Sequence, residues 1–318
     1  MPKKPKIAWI VDRRRWAQER RGESLVGCLG EFQMEVMTAE EFQEQRPKDW
    51  DGAWFASWRT AKLWPKIILA MGSRRCGVGV ASHYEIGPMP EAFRDGADPN
   101  SEFSNAIEFL ANFRIVGANS EPLFSVLSTS LQNLRYLPSG VNTVRWHPLK
   151  VSQRLAFIQR KLGWSCRKKA AKNIGLYAEV ADELKADYGD VVELVALSKD
   201  EAGISEEGMF WVYHTWAYSL CLSVHEGMSN VLLESAACGI PAISTPVGDH
   251  QKLVRDGDTG FIVAADVHSV CCAASKALDI DEASYRRMSH AIRAEIESSW
   301  SWAQRAEPYR KALEVMCG

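Results

Sequence analysis

The chain has 318 residues, 46% of them apolar and 25% charged, which is the profile of a soluble globular protein long enough for two domains. A net charge of −2 argues against wholesale binding of polyanions, although residues 1–150 carry a net +3 and the remainder a net −5. No stretch is long and apolar enough to span a membrane, and the start Met1-Pro-Lys-Lys-Pro-Lys6 has no hydrophobic signal core, so a cytoplasmic location is expected.

In chain order, Ile7 to Val11 reads as a short strand that runs into Asp12 and a basic loop, Arg13-Arg14-Arg15-Trp16. Gly52 to Ser57 and Gly77 to Ser82 read as further strands. Ser101 to Asn112 reads as a helix, Ile115 to Ala118 as a strand and Glu121 to Ser130 as a helix. The next strand is either Ala156 to Leu162 or Leu162-Gly-Trp-Ser165; periodicity does not separate them. Tyr285 to Leu313 reads as helical with a break around Ser298 to Trp302. Strands alternating with helices predict parallel sheets covered on both faces, with ligands beyond the C-terminal strand ends. The eight cysteines form no C-x-x-C pair and no cluster with histidine, so they read as buried thiols of a reducing compartment, not as zinc ligands.

Residues 223–260 carry the most information. Ser223-Val-His-Glu226-Gly227-Met228-Ser229-Asn230-Val231 leads into a helix that carries Glu234 and stops at Gly239-Ile-Pro241. Ser229 or Asn230 suits the N-cap, and Gly239 suits a left-handed helix stop before a proline. The helix start offers unpaired N–H groups and the positive end of a dipole, both favourable to phosphate oxygens. Glu226 and Glu234, eight positions apart, accept hydrogen bonds only and suit a hydroxyl-rich partner such as a sugar. A nucleotide sugar needs this layout, because one crevice edge must hold a diphosphate, a ribose and a hexose.

The segment resembles the E-x7-E signature region of retaining GT-B glycosyltransferases of the family-4 type. The resemblance implies an α/β GT-B fold, with two Rossmann-like doubly wound parallel-sheet domains facing across a cleft. The expected boundaries are 1–148 for the acceptor domain, 149–300 for the nucleotide-sugar domain, and 301–318 for a helix returning to the first domain. Glu226 would contact the hexose, Glu234 the ribose, and Gly227 and the amides of Met228 to Val231 the diphosphate. Arg167 and Lys172 keep the family's five-residue spacing of two cations, with Cys166 in place of the usual glycine. His83 resembles a histidine that faces the reaction centre. Asn142 stands where aspartate is common, and Asp249-His250-Gln-Lys252 departs from the family's Gly and later Glu.

The expected reaction is hexosyl transfer from a nucleoside-diphosphate sugar, a UDP sugar being favoured, to a hydroxyl acceptor, with retention and with no metal or cofactor. The Asp-x-Asp triplets are accordingly read as turn residues. Arg13, Arg14 and Arg15, with Trp16 on the acceptor side, suggest an anionic acceptor or an added phosphate contact, the alternative being a solvated charge run. Together with the tryptophans of the first 64 residues they permit a nucleic-acid acceptor, such as a modified base in DNA. The rival readings are a non-catalytic nucleotide-sugar or nucleic-acid binding module and a GT-B phosphorylase or epimerase. The sequence leaves the oligomeric state open.

Overall fold

The computed structural model describes residues 3–14, 17–81, 99–149, 157–158, 160–166, 170–196 and 204–318. The chain divides into two compact units, Met1–Gly140 with Trp302–Gly318, and Val141–Ser301. Residues 141–148, grouped by sequence with the first domain, therefore lie with the second.

Unit 1 runs β1 (Lys6–Val11), α1 (Ala17–Cys28), β2 (Gln33–Thr38), α2 (Ala39–Gln43), β3 (Gly52–Phe55), α3 (Trp58–Leu63), α4 (Pro65–Met71), β4 (Cys76–Val80), α5 (Pro99–Leu110), β5 (Ile115–Ala118), α6 (Glu121–Ser128) and β6 (Leu134–Tyr136). Its strands form one parallel sheet in the order β2-β1-β3-β4-β5-β6. Strand β1 shows why the apolar runs are continuous. Ala8 and Ile10 point into one buried cluster with Phe42, Phe55 and Val78, while Ile7, Trp9 and Val11 point into another with Trp54. A strand covered on both faces needs apolar residues at every position.

Four of the N-terminal tryptophans that would permit a nucleic-acid acceptor, Trp9, Trp50, Trp54 and Trp58, offer no open face for stacking. All four are buried in these clusters, and Trp9 stacks on Trp54 with ring centroids 5.7 Å apart.

Unit 2 runs β7 (Leu162–Cys166), α7 (Ile174–Tyr188), β8 (Val192–Ala196), α8 (Glu206–Tyr213), β9 (Tyr218–Cys221), α9 (Asn230–Ala237), β10 (Ala242–Ser244), α10 (His250–Leu253), β11 (Gly260–Ile262), α11 (Val267–Asp279) and α12 (Glu282–Glu295), then a π-turn over Ile296–Trp300. The first strand is thus the Leu162-Gly-Trp-Ser segment. The sheet is parallel, ordered β11-β10-β9-β7-β8. Strand order reverses between β7 and β9, and in open α/β sheets the crevice beyond that reversal is where ligands bind. The last helix, α13 (Trp302–Cys317), follows the π-turn and belongs to unit 1, where Trp302, Tyr309, Leu313 and Met316 join the Trp9–Trp54 cluster.

Candidate functional site

The loops leaving β7 and β9 meet beyond this reversal. After β7 the chain makes a tight turn over Ala170–Lys172 and passes Asn173, which is left-handed at φ 54°, into α7. After β9 it runs through Ser223 to Ser229 into α9. The Val224 N–H donates to the Ala171 carbonyl at 3.0 Å, which ties the two loops together. Their side chains meet as well: Lys172 Nζ forms an ion pair with Glu226 Oε1, both groups largely buried. Ser223 Oγ donates to the same carboxylate oxygen at 3.3 Å. Two site residues chosen from sequence, 54 positions apart, are therefore one constellation.

The β10–α10 loop braces this arrangement from below. Thr245 Oγ1 donates to the Ser223 carbonyl at 2.5 Å, and the Asp249 N–H to the Gly227 carbonyl at 2.9 Å. Gly248 has φ +54°, and a Cβ there would lie 2.0 Å from the Gly227 carbonyl oxygen and 2.5 Å from that of Glu226. Only glycine allows this close approach, so the Val247-Gly248 turn fixes the height of the loop that presents Glu226.

Helix α9 begins with Ser229 at its N-cap, as the sequence indicates, but no side-chain hydrogen bond caps it. The first-turn amides of Asn230 and Val231 thus have no cap from Ser229, which leaves that donor set for an anion. At the other end Gly239 is left-handed at φ 79°, its carbonyl accepts from Ser289 Oγ, and the Arg293 guanidinium donates to the Ala237 carbonyl. The helix is anchored at its C-terminus.

Glu234 lies one turn inside α9, buried, with Oε2 accepting from the Tyr213 hydroxyl at 2.7 Å. Sequence reasoning missed Tyr213, which lies on α8 and carries no motif. It also missed His250. This ring is fully buried; Nε2 accepts the Ser229 N–H at 3.3 Å, and Nδ1 lies 2.9 Å from Ser244 Oγ. Accepting at Nε2 requires a neutral ring with its proton on Nδ1. Burial, and then the charge of Lys172, push its pKa down to about 3, in accord with that tautomer. The only hint in the sequence was that His250 stands in a turn that departs from the family pattern.

Of the remaining sequence candidates, His83, Arg15, Trp16 and Arg167 lie outside the described residues. Arg13 is exposed on the loop after β1. Arg14 is engaged within unit 1, pairing with Glu19 at 2.8 Å and Glu41 at 2.6 Å. That double pairing weakens the reading of Arg14 as an anion-binding residue. Among the described residues no group of three His, Cys, Asp or Glu is placed to hold a metal ion. The aspartates of the Asp-x-Asp triplets include Asp51, which accepts from the Lys6 N–H; Asp258, paired with Arg255; Asp279, which accepts from Tyr188; and Asp281, which caps α12.

Comparison with known proteins bears on the segment that builds this site. Residues 203–279, which include the β9 loop, α9 and the Gly248 turn, match the family model for glycosyl transferases group 1. The match covers 77 of the 318 residues. It is 29% identical to the alpha-maltose-1-phosphate synthase of Mycobacterium tuberculosis over 42% of this chain and 39% of that protein. It is 35% identical to the N-acetyl-alpha-D-glucosaminyl L-malate synthase of Bacillus anthracis over 24% of this chain and 20% of that protein. The aligned region thus spans less than half the length of either relative.

Among solved structures, a sucrose-phosphate synthase from Thermosynechococcus elongatus superimposes with a TM-score of 0.73 at 16% identity, over 98% of this chain and 99% of that one. Anabaena HepE, solved with UDP and glucose, gives 0.72 at 13% identity, again over 98% and 99%. The likeness is one of fold: two parallel-sheet Rossmann-like domains of the GT-B kind.

Proposed function

We propose that this protein is a retaining glycosyltransferase that moves a hexose from a nucleoside-diphosphate sugar to a hydroxyl acceptor, without a metal ion. The observation that carries the proposal is the Lys172–Glu226 ion pair at the strand-order reversal, joined to α9, a helix whose start lacks a side-chain cap. In this reading the diphosphate lies against the first-turn amides of α9 and Lys172. Both stabilise the negative charge that develops as the glycosidic C–O bond breaks. Glu226 accepts from hexose hydroxyls, and Lys172 holds its carboxylate in place. Glu234 accepts from the ribose hydroxyls while Tyr213 fixes its orientation. The acceptor oxygen attacks the anomeric carbon from the face the diphosphate leaves, and the departing phosphate oxygen takes the acceptor's proton. A UDP sugar is the favoured donor, since the similarly folded HepE was solved with UDP and with UDP-glucose. A cytoplasmic location belongs to the same proposal; among the described residues no helix is long and apolar enough to cross a membrane.

The test is a thermal-shift screen of nucleotide sugars, followed by turnover of the best donor, including its slow hydrolysis without acceptor. Glu226→Ala and Lys172→Ala should each lower kcat by about 10²–10³ while the fold persists, as expected when one preorganised electrostatic contact is lost. Near-normal turnover in either variant would count against the site. Tight donor binding with no hydrolysis or transfer would favour a binding module, and dependence on inorganic phosphate a phosphorylase.

A further inference from the structure

Between Gly52 and Ala81 the sequence contains no Asp or Glu, but it contains Arg59, Lys62, Lys66, Arg74 and Arg75. The structure folds the middle of this stretch into α3 and α4, joined at Trp64. Their inner face, with Trp58, Ala61, Ile67 and Met71, packs into the core of unit 1. Away from that core, α3 presents Arg59, Lys62 and Leu63, and α4 presents Lys66 and Leu69. All five are exposed, with Pro65 and Ala70 beside them, and no acidic residue is among them. Leu63 is 78% exposed and Leu69 85%. The adjacent turn Pro47–Asp49 adds Lys48 and Asp49, which balance each other.

Single exposed leucines are common on protein surfaces, but here two that are 78% and 85% exposed lie among cations with no acidic residue to mix the charge. A face of lysine, arginine and leucine is suited to a surface that is negative outside and apolar just beneath. We propose that α3 and α4 dock the protein on an anionic lipid surface, with Leu63 and Leu69 entering the headgroup–acyl boundary and Arg59, Lys62 and Lys66 facing the phosphates. The leucines favour lipid over nucleic acid, because a phosphodiester backbone gives them nothing to bury against. The proposal does not depend on the reaction assigned above.

The test is co-sedimentation of the full chain with vesicles of phosphatidylcholine alone and of phosphatidylcholine mixed with phosphatidylserine, at low and high salt. The wild type should pellet with the anionic vesicles, less so at high salt, and little with the neutral ones. Leu63→Ser/Leu69→Ser and Lys62→Glu/Lys66→Glu should each weaken partitioning about tenfold or more. Their thermal unfolding should stay near wild type, since all four side chains are exposed. Failure to pellet with anionic vesicles would overturn the proposal, as would pelleting that both double variants retain. So would salt-sensitive binding to duplex DNA that needs the lysines and not the leucines.

Discussion

His250 is a residue whose protonation state the fold dictates. Its ring nitrogen accepts the Ser229 N–H inside a fully buried site, and its pKa falls to about 3, chiefly through burial and then through Lys172. The unfolded value is about 6.5. Between those two pH values the unfolded chain holds a proton that the folded chain does not. The contribution of His250 is therefore fully present above pH about 6.5 and falls as the solution is acidified, by up to about 1.4 kcal/mol per pH unit from this one group. In urea unfolding from pH 7 to pH 4, His250→Gln should lose stability less steeply than the wild type; parallel curves would mean that the ring is not a buried neutral acceptor. At pH 7, His250→Leu should cost about 1–3 kcal/mol by leaving the Ser229 amide without an acceptor, and His250→Gln, whose amide oxygen can accept, should cost less.

The helices separate what the sequence revealed from what it hid. Strands β1, β3, β4 and β5 and helix α6 were legible to within a few residues, because strands buried on both faces leave unbroken apolar runs. Lys172 and Glu226, named from separate motifs, form an ion pair, and Glu234 lies in the helix that the sequence marks out. Helices α3 and α4 were not anticipated, since their pattern lies in a short stretch broken at Trp64-Pro65. Nor were the partners of the site. Tyr213 and His250 reach Glu234 and Ser229 through tertiary packing, which no local pattern records. Arg14 shows the converse: the sequence displays a cation, and the fold pairs it with Glu19 and Glu41. Ser229 is an instructive middle case, with the backbone position of an N-cap and no side-chain hydrogen bond to the helix start. Asp281, in contrast, accepts from the Ser284 N–H at 2.8 Å at the start of α12. Asp281→Ala should therefore cost about 1 kcal/mol, the usual value of a working cap, and Ser229→Ala much less. Equal losses in urea titrations would show that Ser229 caps α9 after all.

Over the whole chain, each unit is built around cores drawn from its own residues. The clusters of unit 2 lie between Val141 and Trp300, and its ends meet, with the Val141 N–H donating to the Trp300 carbonyl at 2.9 Å and Val141 bridging to Ser301. Unit 1 is closed only by the end of the chain. Trp302, Tyr309, Leu313 and Met316 of α13 cover Trp9 and Trp54, and the Tyr309 hydroxyl donates to the Leu137 carbonyl at 3.0 Å. Losing one large buried side chain costs about 2–5 kcal/mol, so losing four approaches the 5–15 kcal/mol that holds a typical domain together. A fragment of residues 141–301 should then fold cooperatively and still give a thermal shift with the nucleotide sugar that the full chain prefers, but catalyse no transfer. A chain ending at Ser301 should keep that shift and lose the unfolding transition of unit 1 in calorimetry. The scheme fails if the fragment is unfolded, or if the truncated chain retains both transitions.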